Sequence, residues 1–281
     1  MTDQVTAARA GTVSLGDRKV HRLGLGTNRL TDTAPARALL RRAVELEVDF
    51  FDTADIYQST RSETTLGATL GTAHARVVIA TKGGMIRAPD GLGVNGHPEH
   101  LQKAVRSSLE RLKVDCIDLY QLHRVDPEVP IEASVEALRE MQEAGLVRRI
   151  GLSNVSVDEL VRARRIAAIV SVQNRYNLLE RQEEAVLNFC EEHSIVFIPW
   201  TPVRRGDLGQ STTLVEVARR YGVSPQQVAL SWLLRRSPLM LPIPGTLSPL
   251  HLEENLAAAA LELHDEDFRR LRDSSFPSGP S

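Results

Sequence analysis

Residues 77–123 hold one complete unit of the fold: V-V-I-A-T-K (77–82), P-E-H-L-Q-K-A-V-R-S-S-L-E-R-L-K (98–113) and I-D-L-Y-Q-L-H (117–123). The first and last runs are short and apolar, rich in β-branched or aromatic residues, and bounded by polar groups. That is the pattern of buried strands. The middle run has helical periodicity and opens on Pro98, whose missing N–H costs nothing in a first helical turn. The unit therefore reads strand, helix, strand.

The same alternation extends in both directions. Apolar strand candidates lie at 23–26, 48–52, 77–82, 117–122, 149–152, 169–172, 196–199 and 240–243. Helical patterns fall between them. In 130–144, Ile131, Val135, Leu138 and Met141 share a side, and Gly145 provides the stop. Segments 225–236 and 249–260 each start on proline. The opening T-V-S-L-G-D-R-K-V-H-R-L reads as a hairpin turning at Gly16-Asp17. Eight strands alternating with helices over about 250 residues predict an α/β fold, a (β/α)8 barrel with an N-terminal β-hairpin. A doubly wound sheet is the rival. No composition shift divides the chain, so residues 1–281 read as one domain, with a loose Ser/Gly/Pro-rich tail at 274–281.

Composition narrows the function classes. The net charge of −2 at neutral pH predicts neither nucleic acid nor an anionic membrane as partner. No apolar run approaches the roughly 20 residues of a membrane span, and the N-terminus lacks an apolar signal core. Cys116 and Cys190 lie in apolar contexts and read as buried thiols of a reducing compartment, so a cytoplasmic protein is expected. Of 34 cationic side chains only Lys19, Lys82, Lys103 and Lys113 are lysine. A lysine ending the most apolar strand candidate is therefore conspicuous.

Gly91, Gly93 and Gly96 match G-x-G-x-x-G. That pattern binds a dinucleotide only directly after a strand and at a helix start. Here the preceding strand candidate ends at Lys82, so 83–96 reads instead as a mobile loop over the barrel mouth.

In such barrels active sites lie at the C-terminal strand ends. Asp52 ends the second strand and Lys82 the third. His123 follows the fourth, and Tyr57 lies on the loop leaving the second. Neighbouring strand ends are ~5 Å apart, so the four side chains can converge. Each has a structural reading taken alone: a cap, a packed aromatic, an ion pair, a satisfied strand-end histidine. Together at three consecutive strand ends they form a proton-transfer site. An ammonium beside the phenol favours phenolate and lowers its pKa, and the aspartate keeps the lysine charged. The result is a phenol expected to give or take a proton near neutral pH.

On these residues the chain resembles the aldo-keto reductases over almost its whole length. The likeness extends through R-L-G-L-G-T, R-S-E-T-T-L-G, R-R-I-G-L-S-N-V, V-Q-N-R-Y-N and P-I-P-G-T-L-S-P-L-H-L-E-E-N. It implies that Asp52, Tyr57, Lys82 and His123 are the catalytic tetrad, with no metal. It also implies a nicotinamide dinucleotide across the barrel mouth. Gly26, Thr27 and Asp52 would approach it. Ser153, Asn154 and Gln173 would hold its carboxamide, and Trp200 would stack on its ring. Thr201, Pro202, Val203, Arg204 and Arg205 would follow along the next loop. Gly245, Thr246, His251, Glu254 and Asn255 would meet its adenosine end. The 2′-phosphate grip is weakly cationic, so NADPH is expected and NADH is the alternative. The implied reaction is hydride reduction of an aldehyde or ketone. Several stretches are especially similar to pyridoxal reductases. A Schiff-base aldolase using Lys82 and a non-enzymatic nicotinamide-binding subunit are the rival functions. Oligomeric state is not legible.

Overall fold

The computed structural model describes residues 4–88, 91–203, 208 and 211–274. After a 3-10 turn come β1 (Thr12–Leu15), β2 (Arg18–His21), β3 (Leu25–Gly26), α1 (Ala34–Glu45), β4 (Phe50–Asp52) and α2 (Arg61–Leu70). Then follow β5 (Val78–Gly83), β6 (Met85–Ala88), β7 (Gly91–Val94), α3 (Pro98–Leu112), β8 (Leu119–Leu122), α4 (Ile131–Glu143), β9 (Ile150–Ser153) and α5 (Val157–Ala163). The chain continues with β10 (Ile169–Gln173), α6 (Glu184–Glu192), β11 (Val196–Phe197), α7 (Thr212–Tyr221), α8 (Pro225–Arg236), α9 (Pro249–Ala257) and α10 (Asp265–Asp273).

Seven strands form one sheet in the order β11-β10-β9-β8-β5-β4-β3, with every neighbouring pair parallel. The eighth stave is the apolar segment at 240–245. It bridges β11 through Phe197 and Met240 and approaches β3 through Gly26 and Gly245. Leu241 N–H donates to Phe197 O at 2.9 Å, and Gly24 N–H to Pro242 O at 3.0 Å. Both edges are thereby joined, and the sheet closes into the expected (β/α)8 barrel rather than a doubly wound sheet. The segment makes isolated bridges instead of the predicted strand because Pro242 and Pro244 have no N–H to give a ladder.

β1 and β2 pair antiparallel across the Gly16-Asp17 turn, as expected. Asp17 accepts from Arg149 Nε (2.9 Å), and Asp49 Oδ1 accepts from His21 N–H (2.9 Å). Both partners precede barrel strands, so the hairpin covers the N-terminal end. Val13, Leu15 and Val20 pack there with Phe50, Val78, Leu119 and Ile198.

The helices lay their apolar faces on the outside of the barrel. α3 buries Leu101, Val105 and Leu112, and α4 buries Ile131, Val135, Leu138 and Met141. Gly145, at φ 74°, ends α4 in a conformation that suits glycine. Ser156 and Ser224 start α5 and α8 with reciprocal capping boxes. The expected helix at 249–260 is α9 followed by a 3-10 turn over Ala258–Ala260.

Two expectations need correction. Residues 83–96 contain a β-hairpin, with Met85 opposite Val94 and Arg87 opposite Leu92. Its glycines suppressed the strand signal. Gly91 and Gly93 of the G-x-G-x-x-G lie on β7, so no strand-to-helix phosphate turn exists there. Cys190 is buried, and burial pushes its thiol up to about 12, whereas Cys116 is only partly buried. Of the expected loose tail, all but Ser274 lies outside the described residues. No helix among the described residues is long and apolar enough to cross a membrane.

Candidate active site

β5 is buried along its whole length, so its alternating side chains have two interior destinations. Lys82 points into the barrel, and its Nζ is fully buried. It donates to Asp52 Oδ2 at 2.7 Å, to Thr53 O at 2.7 Å and to Tyr57 Oη at 3.3 Å. All three ammonium protons are thereby engaged. Thr81 points the other way and donates to Glu63 on α2, which also accepts from Arg111 on α3 (2.6 Å). The turn 52–57 is pinned over the strand end because Asp55 N–H donates to Lys82 O (3.1 Å).

The other carboxylate oxygen of Asp52 accepts from Gln173 Nε2 at 2.7 Å, across the barrel. His123 N–H donates to Gly83 O (2.9 Å), placing its ring at the end of β8. That ring meets Tyr57 edge-on, with centroids 5.8 Å apart and an interplanar angle of 84°. The expected quartet therefore converges at three consecutive strand ends.

The environment sets the charge states. Burial depresses Lys82, but Asp52 and Tyr57 together outweigh it, so Lys82 lies above its ordinary value and stays an ammonium. Burial also raises Tyr57, and Lys82 offsets this only in part because Asp52 opposes it. This reverses the expected lowering: Tyr57 is held as a neutral phenol. Burial, then the charges of Lys82 and Arg124, hold His123 well below the ordinary imidazole value, so it is neutral at pH 7.

Above the quartet opens a cleft of about 1140 Å³. Gly26, Asp52, Tyr57, His123, Ser153, Asn154, Gln173, Trp200, Thr201, Pro202, Val203, Gly245, Thr246, His251, Glu254 and Asn255 line it. Lys82 is fully buried beneath the floor and bonds to Asp52 and Tyr57, which line it. Thr27 is not on the wall. It is buried behind it, donating to Asp52 O (2.8 Å) and meeting Ser62 Oγ at 2.8 Å, because the tightly packed turn after β3 needs its hydroxyl more than the cleft does. Arg204 and Arg205 lie outside the described residues.

Asn154 organises the far wall from a left-handed backbone (φ 56°), which asparagine tolerates. Its Nδ2 donates to His123 O (3.0 Å) and to Ser153 Oγ (3.0 Å), and its Oδ1 accepts from Trp200 Nε1 (3.0 Å). Ser153 Oγ donates to Gln173 O at 2.8 Å. Three strand ends thus share one polar network beside a flat indole. Hydroxyl, amide and indole groups together match a nicotinamide carboxamide and ring, which need donors, acceptors and an apolar face.

Sequence reasoning missed several wall residues. Arg124 could have been found from its place next to His123. Met85, Arg87 and Leu92 could not, because they reach the cleft only through the unforeseen hairpin.

The chain is similar over most of its length to known proteins. The family described as the Aldo/keto reductase family matches residues 22–275. An uncharacterized oxidoreductase of Schizosaccharomyces pombe is 43% identical over 95% of this chain and 90% of its own length. Pyridoxine 4-dehydrogenase of Escherichia coli is 39% identical over 92% of this chain and 96% of its own. An aldo-keto reductase of Klebsiella pneumoniae, solved in complex with NADPH, superposes with a TM-score of 0.81 at 28% identity, over 92% of this chain and 93% of the other.

Proposed function

The chain belongs to the aldo/keto reductase family, and from that premise we propose that this oxidoreductase uses NADPH to reduce the carbonyl of a small aldehyde or ketone, with Tyr57 as proton donor. The observation that carries the assignment is Lys82 Nζ bonded to both Asp52 and Tyr57 directly beneath the cleft.

Ser153, Asn154, Gln173 and Trp200 would hold the nicotinamide end of the cofactor. Gly245, Thr246, His251, Glu254 and Asn255 would hold the adenosine end. When bound, this group supplies a hydride. The chain supplies the rest. Tyr57 stays protonated through neutral pH and can deliver its proton to a carbonyl oxygen gaining negative charge. Lys82, held charged by Asp52, stabilises the phenolate left behind. Neutral His123 can hydrogen-bond the same oxygen and orient the carbonyl. The E. coli relative, a pyridoxine 4-dehydrogenase 39% identical to this chain, supports pyridoxal as one such aldehyde.

Lys82 as a Schiff-base nucleophile fits poorly. An ammonium with three engaged protons and a raised pKa has no free electron pair with which to attack.

A Tyr57→Phe variant is expected to bind NADPH as the parent does, read by protein fluorescence, while losing about 10²- to 10⁴-fold in aldehyde turnover. Turnover at the parental rate would defeat the assignment.

A further inference from the structure

The cleft has two unequal halves. The walls from β9, β10, β11 and the closing segment carry the groups suited to a cofactor. The opposite wall comes from the loops after β3, β4, β5 and β8, and its charged lining is arginine apart from Asp52, which Lys82 neutralises. Arg29 on that wall is tied by donation to Gly245 O (2.8 Å). Arg87 and Arg124 are different. Both are exposed and line the cleft, and neither has a hydrogen bond or ion pair among the described residues.

Their place on the cleft is what sets them apart. Many arginines of this protein pair with carboxylates, as Arg162 does with Glu132, Arg236 with Glu184 and Arg149 with Asp17, and none of these three lines the cleft. Arg124 directly follows His123 and is close enough to depress its imidazole. Arg87 lies across the hairpin from Leu92, which is 63% exposed and lines the same cleft. The hairpin therefore presents a cation and a bare apolar side chain side by side. A guanidinium fork fits a carboxylate or a phosphate in two parallel hydrogen bonds, and a concave wall of one sign concentrates its field.

We propose that the preferred substrate is an aldehyde bearing an anionic oxygen group, carboxylate or phosphate, which Arg124 and Arg87 bind while the hairpin covers its organic body. This rests on the reductase reading and names its substrate class. The two arginines act as specificity residues rather than catalytic ones.

The test uses matched pairs in an NADPH-oxidation assay: 4-carboxybenzaldehyde against its neutral amide, 4-formylbenzamide, and pyridoxal 5′-phosphate against pyridoxal. The parent is expected to favour at least one charged member by about tenfold in kcat/KM, the scale of a charge-assisted hydrogen bond. The preference should shrink as salt rises. Arg124→Gln and Arg87→Gln should collapse the charged-to-neutral ratio, mainly through KM of the charged member. A preference confined to one pair identifies carboxylate or phosphate as the group bound. Equal use of charged and neutral members by the parent overturns the proposal and leaves the reductase reading standing, as does an equal loss on both members in the variants. No NADPH oxidation with any of the four aldehydes overturns the reductase reading itself and this proposal with it.

Discussion

Tyr57 and Asp55 show how burial decides chemistry one residue at a time. From sequence, Lys82 beside Tyr57 implies an easily ionised phenol. In the folded chain Asp52 neutralises much of that cation and burial dominates, so the phenol keeps its proton. Asp55 was not singled out in the sequence, where a carboxyl after Thr-Ala reads as an ordinary loop residue. Burial, then the carboxylate of Glu63, raises it to about 7, while Arg111 and Lys82 oppose the shift only in part. Its Oδ1 has no hydrogen-bond partner among the described residues, and the buried Tyr120 hydroxyl has none either. The sign of the linkage follows. Below the unfolded carboxylate value of roughly 4 both states hold the proton. Between that value and about 7 the unfolded chain releases it and the folded chain keeps it, so stability falls as pH rises and levels off above 7. Relative to the parent, Asp55→Asn should therefore gain stability between pH 4 and 7 and keep the gain at pH 8, on the order of a few kcal/mol. Urea unfolding across that range measures it. A variant destabilised equally at pH 5 and pH 8 would contradict the account.

At the scale of elements, signals carried within one segment were readable. Proline openings and 3.6-residue periodicity located α3, α8 and α9, and Gly16-Asp17 located the first hairpin. Elements whose existence depends on a neighbour were not. The β6–β7 hairpin has two glycines in β7 where strand-forming side chains would be sought, and its pairing is visible only in space. Gly67 in α2 is a comparable case. A Cβ there would lie 2.3 Å from Arg111 O and 2.7 Å from Leu112 O, so α2 approaches the end of α3 backbone to side-chain-free backbone. Gly67→Ala, favourable for an isolated helix, is expected instead to destabilise the protein by about 1–3 kcal/mol through overpacking. An unchanged urea midpoint would mean that the helices can part without cost.

At the scale of the whole molecule, the cleft draws on the walls of the barrel from β3 around to the closing segment. A ligand seated across it binds the closed barrel and not the unfolded chain. NADPH at a hundred times its dissociation constant should therefore raise unfolding free energy by about 2.7 kcal/mol, read as an upward shift in Tm. An equal shift with NADH at the same concentration would show that the 2′-phosphate is not recognised. By itself the sequence determined the alternation of strands and helices, the barrel, and the four residues at its strand ends, because apolar runs ending in one polar group are a local pattern. Only the tertiary structure decided how the sheet closes past Pro242, that Gln173 reaches Asp52 across the barrel, that Thr27 turns away from the cleft, and that Tyr57 keeps its proton. Each of these depends on distance and burial between residues remote in the chain, which no local pattern records.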